Sequence, residues 1–93
     1  MPGQRVTSIS TSTLVYNGEC YVHEIYMEAN SDTAEVGLAN AITTGQTLVL
    51  GLRATATSQS ERVFPGLGVY FSTGIYATTT GTTPRIEIVY SIR

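Results

Sequence analysis

The chain has 93 residues and a formal net charge of -2, with a sequence pI of about 5.1. That length allows one domain, and the acidic balance argues against nucleic acid, which needs a basic face. No run approaches the roughly 20 apolar residues of a membrane-spanning helix, and Met1-Pro2-Gly3-Gln4-Arg5-Val6 lacks the apolar core of a signal peptide.

Charged residues make up 13% of the chain, against about 25% in a typical soluble domain. The surface is therefore covered by Ser, Thr, Asn and Gln, or by a partner. All five basic residues are arginines: Arg5, Arg53, Arg62, Arg85 and Arg93. Genomic base composition accounts for this, and so does an interface, where arginine is favoured. Lysine, the usual blocker of exposed strand edges, is absent. The single cysteine, Cys20, allows no internal disulfide.

In chain order, residues 1–4 read as a flexible arm. Arg5 to Ser10 is a first strand marked by Val6 and Ile9. Leu14-Val15-Tyr16 is a short apolar run ended by Asn17-Gly18, a tight-turn dipeptide. From Glu19 to Glu28 a strand places Tyr21, His23, Ile25 and Met27 on one face and Cys20, Val22, Glu24, Tyr26 and Glu28 on the other. Both faces are mixed. Ala29 to Asp32 is a turn, and Ala34 to Asn40 a strand with Val36 and Leu38 inward. Ala41 to Gln46 is a loop, with one helical turn open as an alternative around Ala39 to Thr43. Thr47 to Arg53 is a strand with Leu48, Leu50 and Leu52 on one face. Ala54 to Ser60 is a loop, or a strand with a threonine face. Glu61 to Phe64 approaches a strand that Pro65-Gly66 breaks.

The stretch Glu61 to Arg93 reads as three consecutive antiparallel strands. Val69 and Phe71 alternate with polar or small residues. Ser72-Thr73-Gly74 is a turn whose glycine suits positive φ. Ile75 to Thr79 follows, then the turn Thr80-Gly81-Thr82-Thr83-Pro84, then Ile86, Ile88, Tyr90 and Ile92 alternating with Glu87, Val89, Ser91 and Arg93. The predicted inward set includes Ile86, Ile88, Leu48, Leu50, Val69 and Phe71. Seven to eight short strands at intervals of about 8–12 residues predict an all-β chain. The expected fold is a single small antiparallel β-sandwich over residues 1–93, jelly-roll-like.

The residues name no chemistry. His23 is the one histidine, mid-strand, and reads as a structural or interface residue. Cys20 and His23, three apart in a strand, project to opposite faces and form no dyad. Glu28, Asp32 and Glu35 surround one turn, but no calcium-loop spacing accompanies them. Gly66-Leu67-Gly68 precedes a strand, so it is turn chemistry and no phosphate loop. Six tyrosines lie along the strands as core or interface residues, or as a ligand platform. The expected site set is empty: no catalytic, cofactor-binding or metal-ligating residue, no cofactor and no enzymatic activity.

Phe64-Pro65-Gly66, Val69-Tyr70-Phe71, Thr73-Gly74-Ile75-Tyr76, Thr80-Gly81-Thr82-Thr83-Pro84 and the run Ile86, Ile88, Val89, Tyr90 together resemble a pattern in small structural proteins of tailed bacteriophages. The resemblance covers residues 61–90, about a third of the chain. It implies a β-sandwich, commonly a homotrimer, made in the host cytoplasm and carried on the virion. There it would bind the outside of the major capsid protein shell as a decoration, or cement, protein. The alternative is a fibre, tail, receptor-binding or carbohydrate-binding sandwich. Neither reading implies a nucleic-acid or membrane partner.

Overall fold

Nine strands form two facing antiparallel sheets in the computed structural model, which describes residues 4–43 and 48–92. In chain order they are β1 (Gln4–Ile9), β2 (Thr13–Asn17), β3 (Cys20–Glu28), β4 (Ala34–Asn40), β5 (Leu48–Ala54), β6 (Gln59–Val63), β7 (Val69–Phe71), β8 (Gly74–Thr80) and β9 (Arg85–Ile92). Sheet A runs β1-β9-β3-β6, with β7 beside β3 next to β6; sheet B runs β2-β8-β4-β5. Nine strands thus occupy eight sheet positions, because β6 and β7 share one edge of β3.

The pairing has a single logic. The chain folds back at the β4–β5 hairpin, and strands on either side pair in reverse order: β3 with β6 and β7, β2 with β8, β1 with β9. Rolling this long hairpin brings β9 against β3 and β8 against β4. The result is a jelly roll, the expected all-β sandwich. Among the described residues, β4 and β5 are the only consecutive strands that pair. The last three strands do form, but not side by side. β7 lies in sheet A, β8 in sheet B and β9 back in sheet A. Asn17-Gly18 is likewise a corner between sheets, with Gly18 at φ 142 and its N–H donated to the Thr73 carbonyl at 2.9 Å.

Side chains from the two inner faces fill the space between the sheets. Phe71, Ile25, Met27, Leu38, Ile75, Ile86, Ile88 and Val22 are fully buried. Tyr16 of sheet B and Tyr90 of sheet A meet at a ring separation of 5.6 Å across the sandwich. The predicted inward set is partly correct. Ile86, Ile88 and Phe71 are buried, and Leu50 and Val69 pack against the core. Leu48 is not inward: it is 53% exposed. A β-bulge at Val49 explains this, since Leu50 pairs with Leu38 but Leu48 pairs with Ala39. The extra residue turns Leu48 to the outer face, where its methyls lie over Gly37.

A second bulge corrects the faces of β3. Val22 pairs with Tyr90 and Glu24 with Val89, leaving His23 between them. The inner face is therefore Cys20, Val22, Ile25 and Met27, a set that strict alternation would split between both faces. Gly74 also differs from its sequence reading. It lies in β8 without a positive φ, and a Cβ there would stand 2.5 Å from the Tyr16 carbonyl oxygen. Close approach of two strands requires the glycine, while Asn40 shapes the turn by accepting from the Thr73 N–H at 2.7 Å and donating to Ser72 Oγ at 2.9 Å. Of the expected arm, Gln4 belongs to β1 and pairs with Ser91; residues 1–3 lie outside the described residues.

Phe71 and Leu48 give a direct measure of these faces. Phe71→Ala should lower the unfolding free energy by about 3–5 kcal/mol, and Leu48→Ala by under about 1 kcal/mol. Urea denaturation followed by circular dichroism reads both; equal losses would contradict the bulge at Val49.

Candidate functional site

The residues singled out for chemistry separate in the fold. Cys20 is buried on the inner face of β3, and burial pushes its thiol up to about 11, so at neutral pH it is protonated and unreactive. His23 points the other way. Its Nε2 lies 2.7 Å from the Oγ of Ser91, a residue 1% exposed. His23 shares the outer face with Tyr21, the cross-strand partner of Ser91; the bulge adds Glu24 to that face.

The three carboxylates near the β3–β4 turn do not converge. Glu28 pairs with Arg85 at 2.9 Å, Asp32 accepts from the Thr82 N–H at 2.8 Å, and Glu35 lies 3.5 Å from Arg53. Among the described residues no three His, Cys, Asp or Glu side chains are grouped to hold a metal ion. The Gly66-Leu67-Gly68 segment is the connection that covers the β3 bulge. Phe64 donates its N–H to the His23 carbonyl at 2.8 Å, and Gly68, at φ 84, passes so close that a Cβ would stand 2.4 Å from the Val22 carbonyl oxygen.

Two broad surfaces remain. The outer face of sheet B has a glycine floor. Gly37 and Gly51 pair directly, and the shallow trough above them, about 350 Å³, is bounded by Glu35, Arg53, Leu48, Thr78 and Thr80. Its one ion pair is well exposed and so adds little. Its polar groups, Glu35, Arg53, Thr78 and Thr80, stand around the glycine floor.

The outer face of sheet A is richer. Register places Val6, Val89, Glu24 and Val63 in one row across four strands, with Ser8, Glu87, Tyr26 and Glu61 in the next. Val6 is 64% exposed and Val63 62%. Further along the face, Tyr21 and Tyr70 meet at 5.3 Å between ring centroids, and the Tyr70 hydroxyl donates to Glu19. Glu24, Glu61 and Glu87 crowd together. The hydrogen bond to Glu61 raises the Glu24 carboxyl above its ordinary 4.5, helped by partial desolvation and by the negative charges of Glu61 and Glu87.

No family model, curated protein or solved structure matches the chain.

Local pattern could not reveal most of this. The His23–Ser91 bond spans 68 positions, and the carboxylate cluster joins three strands far apart in sequence. Glycines inside two strongly patterned strands were a local signal for the trough.

Two outcomes follow. His23→Ala leaves the buried Ser91 hydroxyl without this partner and should cost about 1–3 kcal/mol; Ser91→Ala in that background should recover part of the loss. A folded-state carboxyl raised above its unfolded value stabilises at low pH, and that contribution is lost as pH rises through the raised value. Wild type should therefore lose melting temperature more steeply than Glu24→Gln as pH rises above about 4.5. Parallel curves for the two proteins would rule out the strained pair.

Proposed function

We propose that the protein is a bacteriophage virion component, a capsid decoration (cement) protein. It attaches as a homo-oligomer to the outside of the major capsid protein shell and stabilises it. Three copies is the order that the phage resemblance implies. The observation that carries this reading is the row on the outer face of sheet A in which Val6 and Val89 lie on one side of Glu24 and Val63 on the other, with Val6 and Val63 well exposed, on a domain with few charges. Exposed apolar side chains grouped on one face mark an interaction surface. Jelly rolls also recur among capsid proteins, and a cement acts through a surface, so it needs no reactive group.

A second reading has its own observation. Tyr21, Tyr70 and Glu19 form an aromatic pair with a carboxylate beside it, the composition of a sugar platform, and lectins use this fold as well. That reading makes the domain a fibre, tail or receptor-binding module.

One experiment separates the two. The purified protein is added to phage shells lacking it, and shell melting and co-sedimentation are followed with dose. Attachment to the native shell should raise its melting temperature progressively, as mass action requires, and Val63→Lys should weaken the effect. Tyr70→Ala should leave shell binding intact. Binding to host-surface glycans that Tyr70→Ala abolishes, with no effect on shells, would favour the second reading over the first.

A further inference from the structure

The edges of the sandwich are unequal. β2 carries an irregularity at Val15, between Leu14 and Tyr16, and β5 carries the bulge at Val49. The edge formed by β6 and β7 is interrupted by residues 64–68. Such interruptions stop an edge from accepting another strand. β1 has none. Its six residues hold unbroken register with β9, and no described strand bonds to its other side. It contains neither lysine nor proline, and it presents Val6 at 64% exposure.

We propose that β1 is a self-association edge: it pairs antiparallel with β1 of a second copy across a two-fold axis, Val6 opposite Val6, making one continuous sheet from two copies of sheet A. Geometry selects this register. Val6 pairs with Val89 on the outer face, whereas Thr7 pairs with the buried Ile88, so the pleat forbids Val6 opposite Thr7. Setting Val6 opposite Ser8 is permitted but separates the two valines. With Val6 on the axis, Arg5 faces Thr7 and Gln4 faces Ser8, so no like charges stand opposite each other. The outer row becomes Val89–Val6–Val6–Val89, an apolar strip across the junction. Backbone hydrogen bonds supply the attraction, as in other strand additions, and the valine strip fixes the alignment. A two-fold contact repeats the same patch on both copies, which suits one regular edge among interrupted ones. It gives two copies, or six where a three-fold contact joins such pairs. The inference stands on the edge alone and needs no capsid, so shell attachment can succeed or fail independently of it.

The test uses the full chain. Because Cys20 is buried and the chain has no other cysteine, Val6→Cys introduces one accessible thiol. Val63→Cys, at a site 62% exposed, is the control. Under mild oxidation Val6→Cys should form a disulfide-linked dimer at least about tenfold faster than Val63→Cys, through the raised effective concentration of paired thiols. Sedimentation velocity of the native protein should show even-numbered species, and Val6→Lys should raise the dissociation constant at least about tenfold with an unchanged circular dichroism spectrum. Equal cross-linking of the two cysteine variants would overturn the proposal. So would a monomer at all concentrations to about 100 μM, or a trimer indifferent to Val6→Lys. A monomer whose Val6→Lys form loses shell attachment would give the edge to the shell protein instead, and overturn it equally.

Discussion

Pairing between the two halves of the chain, in reverse order, is the constraint on which the rest depends. β9 holds β1 on one side and β3 on the other, so a strand from the end of the sequence joins two from its beginning. Among the described residues one local hairpin exists, β4–β5, and each other ladder closes a long loop. Long loops cost entropy before their contacts return anything, so the sandwich forms cooperatively or not at all. The core positions of β3 and β9, Val22, Ile25, Met27, Ile86 and Ile88, are all fully buried. Their burial offsets the closure cost, and it does so at the middle of sheet A, where the largest number of ladders meet.

That constraint explains which parts of the fold were legible. Strand existence followed from period-two patterning, and β9 was readable almost residue by residue because its inner face is uniformly apolar. All-β class and sandwich layering followed from strand number and spacing. Pairing did not, because alternation records a face and never a neighbour. The last three strands looked like a local meander, yet β8 lies in the sheet opposite β7 and β9. Corners such as Asn17-Gly18 and Thr80 to Pro84 use the same residues as hairpin turns, and the sequence does not distinguish the two.

Bulges hid the rest. One residue at His23 shifts the phase of β3, so Cys20 and Val22 share the inner face with Ile25 and Met27. The odd spacing of those residues was visible, and two mixed faces were its symptom. One residue at Val49 sends Leu48 outward over Gly37, although Leu48, Leu50 and Leu52 made a regular apolar set. In both places the bulge also builds surface: the first sets Glu24 on the outer face beside His23, and the second fills one end of the glycine-floored trough. The surface features therefore share a cause with the errors in face assignment, and neither could be read without the partner strand.

The outer face of sheet A carries a cost that the core does not require. Glu24, Glu61 and Glu87 stand on adjacent strands, and the hydrogen bond to Glu61, then partial desolvation, then the charges of Glu61 and Glu87 raise the Glu24 carboxyl. Arg85 relieves one side only, bonding Glu87 at 2.8 Å and Glu28 at 2.9 Å. Polar threonines at these positions would satisfy a two-layer sandwich equally well, and the chain uses threonine freely on β8. Valines flank the carboxylates on both sides of the face. Carboxylate repulsion costs the isolated domain stability, and valines left in water return none of the gain of burial. The repulsion falls, and the gain is realised, if the face meets a partner that covers the valines and brings cations to the glutamates. The physical pressure on this face thus runs toward association, and the regular β1 edge lies at its border.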